Sequence, residues 1–233
     1  MTPTTVIELF SGTGSFTKIA KQNFCISFTY DNHQDATDHG LHTNCDILDP
    51  TISYPDVTNG IIWASPPCEG FSVASIGKMW TKDLPRRPKH PTAENGLKLL
   101  DRTVSLIAEL KPKYWFIENP RGMMRKVIHE VFEKHGVECP RQATVYYCKY
   151  GDTRMKPTDI WTNCMTWKLR EKCRFYRYDK ETGKIIDKHC HHESARRGAT
   201  TGTQGIKGYL NKSVIPPAVF QDIFRDIAGH ING

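Results

Sequence analysis

The chain has 233 residues, 38% of them hydrophobic, with a formal charge of +7 and a pI near 8.9. That length supports one domain with a small appendage. No apolar run approaches the roughly 18 residues of a membrane span, and no basic-then-apolar leader opens the chain, so a soluble intracellular protein is expected. The moderate positive charge permits a polyanionic partner without demanding one. Eight cysteines in such a chain read as free thiols, a nucleophile and metal ligands rather than disulfides.

Thr5 to Leu9 is β-prone, Phe10 to Ser15 is a glycine-rich turn with Gly12 and Gly14, and Phe16 to Lys21 begins a helix. A second strand, Cys25 to Tyr30, delivers Asp31 about 20 residues beyond the glycines. This is the layout of a nucleoside site, in which the acid bonds ribose hydroxyls; an ordinary tight turn would also use such glycines. Gly60 to Ala64 is an apolar strand running into Ser65-Pro66-Pro67-Cys68-Glu69-Gly70-Phe71-Ser72. Two prolines fix φ just before Cys68 and present its thiol rigidly at a strand end.

Lys78 to His90 is basic, broken by prolines and reads as a mobile loop. A helix follows from about Thr92 to Leu110, with Leu97, Leu100, Val104, Ile107 and Ala108 at helical spacing, stopping before Pro112. The strand Tyr114 to Ile117 delivers Glu118-Asn119-Pro120, a helix covers about Arg125 to Lys134, and Thr144 to Cys148 and Asp159 to Thr162 are further strands. This alternation predicts an α/β doubly wound, mostly parallel sheet. From Cys164 the text turns polar and charged, as in Arg196 to Gly205. Residues 164–207 read as a small insert between 1–163 and 208–233. Pro217 then opens a helix whose Val219, Ile223 and Ile227 should return to the main sheet.

Three strand ends, near Phe10, Cys68 and Glu118, converge on one rim, where an open parallel sheet holds its ligand. A cysteine nucleophile beside a glutamate, with no evident histidine base, argues against thiol protease chemistry. A pyrimidine fits. The thiolate adds to C6, Glu118 stabilises the protonated N3, and C5 becomes a carbon nucleophile toward an electrophilic cofactor.

Phe10-Ser11-Gly12-Thr13-Gly14, Pro66-Pro67-Cys68-Glu69-Gly70-Phe71-Ser72, Glu118-Asn119-Pro120 and Ser213-Val214-Ile215-Pro216-Pro217 together resemble the DNA cytosine-5 methyltransferases, especially compact phage-type members. The resemblance implies the Rossmann-like fold of S-adenosylmethionine-dependent methyltransferases, that cofactor, and base flipping in double-stranded DNA. It puts Phe10, Gly12 and Gly14 near the methionine, Asp31 on the ribose and Asp46 with Ile47 on the adenine side. Asn32, Pro67, Glu69, Lys212, Ser213 and Val214 complete the implied cofactor set. Lys78 to His90 becomes the segment that closes over the extruded base.

Several positions depart from the family. Glu69 follows the cysteine where glutamine is common, and Pro120 follows Glu-Asn where valine is usual. Arg154-Met155-Lys156-Pro157-Thr158 replaces Gln-x-Arg-x-Arg, which leaves Arg154 or Lys156 to bond the cytosine carbonyl oxygen. Lys212 stands where the family has asparagine. It either pairs with Glu69 or the methionine carboxylate, or neutralises a carboxylate on the transferred group. The second case would make carboxy-S-adenosylmethionine the cofactor and 5-carboxymethylcytosine the product.

In the insert, Cys164, Cys173, Cys190, His191 and His192 offer ligands for a tetrahedral structural zinc, the first four forming the expected set; unligated thiols are the alternative. The insert stands where the family reads its target. Arg174, Arg177, Arg196, Arg197 and Lys207, with Phe175, Tyr176 and Tyr178, suit phosphate and base contacts and a short recognition sequence. The expectation is a monomeric, cytoplasmic enzyme of a bacterial cell or phage-infected host, methylating C5 of cytosine in DNA. The rivals are the same chemistry on transfer RNA and a catalytically idle DNA-binding module.

Overall fold

The computed structural model describes residues 4–33, 40–73, 76–173, 176–178, 181–182, 185–188, 190–192, 206 and 209–231. Its frame is a seven-stranded sheet of β1 (Thr5–Leu9), β2 (Ile26–Asp31), β3 (Leu41–Asn44), β4 (Ile61–Ala64), β5 (Tyr114–Pro120), β6 (Arg141–Tyr146) and β7 (Pro157–Thr162), in the order β3-β2-β1-β4-β5-β7-β6. Strands β1 to β5 pair in parallel, while β7 runs antiparallel to both β5 and β6. The doubly wound, mostly parallel sheet expected from the sequence is therefore present. Its order reverses direction beside β1 and β4, where an open α/β sheet forms its ligand crevice.

Both faces of the sheet are covered, which is why its central strands are apolar without alternation. In β4 and β5, Ile62, Ala64, Trp115 and Ile117 pack under α3 (Pro91–Leu110) and α4 (Met124–His135). Their neighbours Ile61, Trp63 and Phe116 pack on the other face with Phe16 of α1 (Ser15–Gln22) and with Phe220, Ile223 and Ile227 of α6 (Pro217–Ile231). The period of two along a strand divides the residues between the two cores. Pro91 opens α3 behind His90, whose ring nitrogen accepts the Thr92 N–H, and α4 ends on Gly136 at φ 62. α6 returns to the sheet as its apolar spacing predicted.

The structure also departs from the sequence reading. Lys78 to His90 is not a loop without packed structure. It begins inside the short α2 (Ile76–Met79), Trp80 is fully buried, and the Trp80 indole donates to Gly70 O at 2.7 Å. Trp80, with Met79 packed beside it against the core, anchors a segment that is otherwise mostly basic and polar. The strand expected to reach Cys148 ends at Tyr146, and Tyr147–Tyr150 form a 3-10 turn. Cys164 and Trp167 are buried in the sheet's own core, and Arg170 pairs with Asp222 of α6 at 2.7 Å, so the frame continues past residue 163. Beyond it lies a small hairpin of β8 (Tyr176–Tyr178) and β9 (Ile185–Lys188), and α5 (Tyr209–Ser213) leads back to the frame. Among the described residues no helix is long and apolar enough to cross a membrane.

Candidate active site

The first wall is the turn after β1. Phe10 lies in the left-handed region at φ 59, followed by Gly12 at φ 47 and Gly14 at φ 63. A phenylalanine there is strained. Hydrogen bonds hold it, with Phe10 N–H donating to Tyr30 O and Gly12 N–H to Asp31 Oδ2, both at 2.8 Å. Glu8 lies behind the turn and accepts the Phe16 and Thr17 N–H groups at the start of α1, at 3.2 and 2.9 Å. Burial pushes its carboxyl up to about 7, against the pull of those bonds and of Lys18.

In front of the turn opens a cavity of about 440 Å³. Of the expected cofactor residues, Phe10, Asp31, Asn32, Asp46, Ile47, Pro67 and Glu69 line it; sequence reasoning missed His33, Cys45, Asn95 and Leu99. No motif marks those four, which come from just after β2, just after β3 and from α3. The volume suits a nucleoside-sized ligand. Phe10, Ile47, Pro67 and Leu99 make an apolar slot, and Asp31, Asp46 and Glu69 give it an anionic rim. That donor set fits an adenosine carrying a cationic sulfonium. Gly12 and Gly14 shape the turn rather than the wall, and Lys212 is exposed outside the cavity. Ser213 and Val214 also lie outside its lining, on the stretch tied to α1 by the Ile215 N–H to Ser15 Oγ contact at 3.5 Å.

Beside the cavity is the Cys68 turn. Asn119 at the end of β5 donates to Pro66 O at 2.9 Å, and Met123 N–H, at the start of α4, donates to Phe71 O at 2.8 Å, which ties one end of the turn to β5 and the other to the start of α4. The packing leaves no room. A Cβ on Gly70 would meet Thr92 O at 2.8 Å, and one on Gly122 would meet Phe71 O at 2.3 Å. Cys68 opens toward solvent, yet surrounding protein, and then the Glu118 carboxylate, push its thiol above the ordinary value; Lys156 pulls it down.

Glu118 is 5% exposed. Burial raises its carboxyl above the ordinary value, opposed by Lys156 and by hydrogen bonds from Ser65 and Tyr147, the latter with its hydroxyl 3.2 Å away. Tyr147 is a site residue the sequence reading missed. Its only signal was a pair of aromatics at the end of a strand expected to continue.

The structure separates Arg154 from Lys156. Arg154 is 3% exposed and clasped by Asp152, while its terminal nitrogens donate to Lys212 O at 3.2 Å and Val214 O at 3.1 Å. Each of its three guanidinium nitrogens is engaged by the protein. Lys156 adopts φ 25, lies over the Tyr147 ring at 5.0 Å and donates to Lys212 O at 2.9 Å. Burial lowers its ammonium below the ordinary value, and the charges of Glu118 and Cys68 raise it, so it is electrostatically coupled to both groups.

The expected metal set is brought together only in part. Cys173 and Cys190 meet, but with Cys148 and His192. Cys164 is buried against the sheet with Trp167, and His191 turns its Nε2 to Asp152 O at 3.0 Å. Of the expected nucleic-acid contacts, Arg174, Phe175, Arg196, Arg197 and Lys207 lie outside the described residues, and only the backbone of Tyr176, Arg177 and Tyr178 is described.

The family of C-5 cytosine-specific DNA methylases matches residues 4–136, which contain the cavity, the Cys68 turn and Glu118. A probable DNA (cytosine-5)-methyltransferase of Frog virus 3 (isolate Goorha) is 28% identical over 231 residues, covering 94% of this chain and 97% of that protein. Among solved structures, the product of an E. coli prophage described as a DNA modification methyltransferase is 19% identical at a TM-score of 0.48, covering 79% of this chain and 52% of that one. A DNMT2 mutant of Spodoptera frugiperda is 19% identical at a TM-score of 0.45, covering 72% and 53%. The chain thus spans about half the length of these two structures and nearly all of its viral relative. With more than half of its length matched by the family, the chain belongs to the C-5 cytosine-specific DNA methylases.

Proposed function

We propose that this protein transfers a methyl group to C5 of a cytosine extruded from DNA, with Cys68 as nucleophile and Glu118 as the group that holds the N3 proton. The observation that carries this reading is the convergence of Cys68, Glu118 and Lys156 beside the 440 Å³ cavity. The Cys68 sulfur adds to C6 while the Glu118 carboxyl, whose burial favours its protonated form, shares a proton with N3. Lys156 stabilises the thiolate and is the better placed of the two cations to meet the cytosine carbonyl oxygen. Arg154 is a positioning residue, holding the carbonyls of Lys212 and Val214.

S-adenosylmethionine would be held by Phe10, Asp31, Asp46 and Ile47 and would supply an electrophilic methyl for C5, leaving as S-adenosylhomocysteine. Loss of the C5 proton to water then expels the Cys68 thiolate and restores the ring. Extrusion of the base is required because C6 and C5 are stacked within a duplex. The basic segment from Lys78 to His90, anchored by Trp80, is the proposed phosphate contact.

The test is covalent capture. The protein with S-adenosylmethionine and a duplex carrying 5-fluorocytosine should form a denaturant-stable adduct, absent with Cys68→Ala. Labelled methyl should enter DNA and not transfer RNA. An active Cys68→Ala protein, or incorporation into RNA alone, overturns the reading. The Lys212 substitution motivates running the reaction with carboxy-S-adenosylmethionine as well; 5-methylcytosine as the sole modified nucleoside with both cofactors retires carboxymethyl transfer.

A further inference from the structure

We infer that Cys148, Cys173, Cys190 and His192 form a structural zinc site that fastens the insert to the catalytic rim. Their four ligand atoms all lie within 4.8 Å of one another, and Cys173 Sγ is 3.6 Å from His192 Nδ1. A tetrahedral site with zinc–sulfur bonds of about 2.3 Å has edges of about 3.7 Å, so the cluster needs only a small contraction to close on an ion. Cys148, Cys173 and His192 are buried and Cys190 is half-buried. Three thiols and an imidazole gathered away from water make a soft donor set, matched to zinc rather than to magnesium or calcium.

The ligands come from three separate places. Cys148 belongs to the 3-10 turn that follows β6, Cys173 to the strand-free stretch beyond Arg170, and Cys190 and His192 to the chain just after β9. Among the described residues, the apolar cluster around them holds only Tyr146 and Met155 besides cysteines, too little to fix such segments by burial alone.

Three of the four ligands have a chain neighbour tied to the site described above. Tyr147, beside Cys148, reaches Glu118. His191, between Cys190 and His192, bonds Asp152 O, and Asp152 clasps Arg154. A metal here sets the insert's distance from the rim without touching a reacting atom.

The test uses the full chain purified without chelator. Expected are one zinc per chain by elemental analysis and, after exchange, a cobalt spectrum with the intense thiolate charge-transfer and tetrahedral ligand-field bands of a cysteine-rich site. Cys190→Ser, at the least buried thiol, should lose the metal, whereas Cys164→Ser and Cys68→Ala should each keep one equivalent. Zinc-free protein, a disulfide among Cys148, Cys173 and Cys190 found by peptide mapping, or an octahedral cobalt spectrum overturns the proposal. The cobalt spectrum of the unaltered chain decides even where Cys190→Ser does not fold. Metal content is independent of catalysis, so this proposal and the methyl-transfer reading can fail separately.

Discussion

Lys156 lies close enough to Cys68 and Glu118 for its charge to favour ionisation of both. Replacing it with methionine removes that help. The thiol then rises further above its ordinary value, and the rising limb of kcat/KM against pH, set by thiolate formation, moves to higher pH. Lys156→Arg keeps the charge and should leave the limb nearly where it was. A pH profile of methyl transfer for the three proteins checks this, and an unmoved limb in Lys156→Met would remove the lysine from the mechanism. Glu118→Gln keeps the shape but no longer holds an ionisable proton at N3, so kcat should fall on the order of 10²- to 10⁴-fold. Its melting temperature at neutral pH should not fall, because the variant removes a buried carboxyl that is costly to ionise.

At the scale of elements, the Cys68 turn is held by close backbone contact as well as by the Asn119 and Trp80 side chains. Gly122→Ala would put a methyl 2.3 Å from Phe71 O, an atom of the same turn. The turn must shift, at a cost of about 1–3 kcal/mol in stability, with a loss of methyl transfer beyond what the unfolded fraction explains. Gly77→Ala in α2 meets nothing within 4 Å and serves as the control. Denaturant midpoints and kcat measured together separate the two effects.

Much of this arrangement was legible in the sequence because it is local. A strand followed by a special turn places Phe10, Cys68 and Glu118 wherever the sheet order puts them, and a parallel sheet puts those strand ends on one rim. What was not legible depends on tertiary pairing. The direction of β7 is one case, and it decides that Arg154 and Lys156, which precede that strand, reach the rim at all. The burial of Trp80 within a basic segment is another. The cluster of Cys148, Cys173, Cys190 and His192 is a third, since Cys148 read as a strand residue and its partners lie at no recognisable spacing from it.

Across the whole molecule, stability should depend on pH through Glu8. Its carboxyl titrates near 7 when folded and near 4.5 otherwise, so the folded protein holds the extra proton between those values. Stability from this group is therefore lost as pH rises from 4.5 to 7, by something on the order of 3 kcal/mol, and Glu118 works in the same direction. Melting curves from pH 5 to 8 should show a decline that flattens in Glu8→Gln. An identical slope in the variant would mean that Glu8 is ionised throughout.

α6 covers Phe16, Trp63 and Phe116, residues made long before it, and the stretch from Lys212 to Val214 that precedes it is pinned by Arg154. During synthesis, one face of the sheet must wait, uncovered, for a helix that leaves the ribosome some hundred residues after β5. Core and rim are then finished in the same docking event. A nascent chain carrying Cys68, Glu118 and Lys156 already holds its reactive groups but not the frame that aims them, so chemical competence arrives late and all at once.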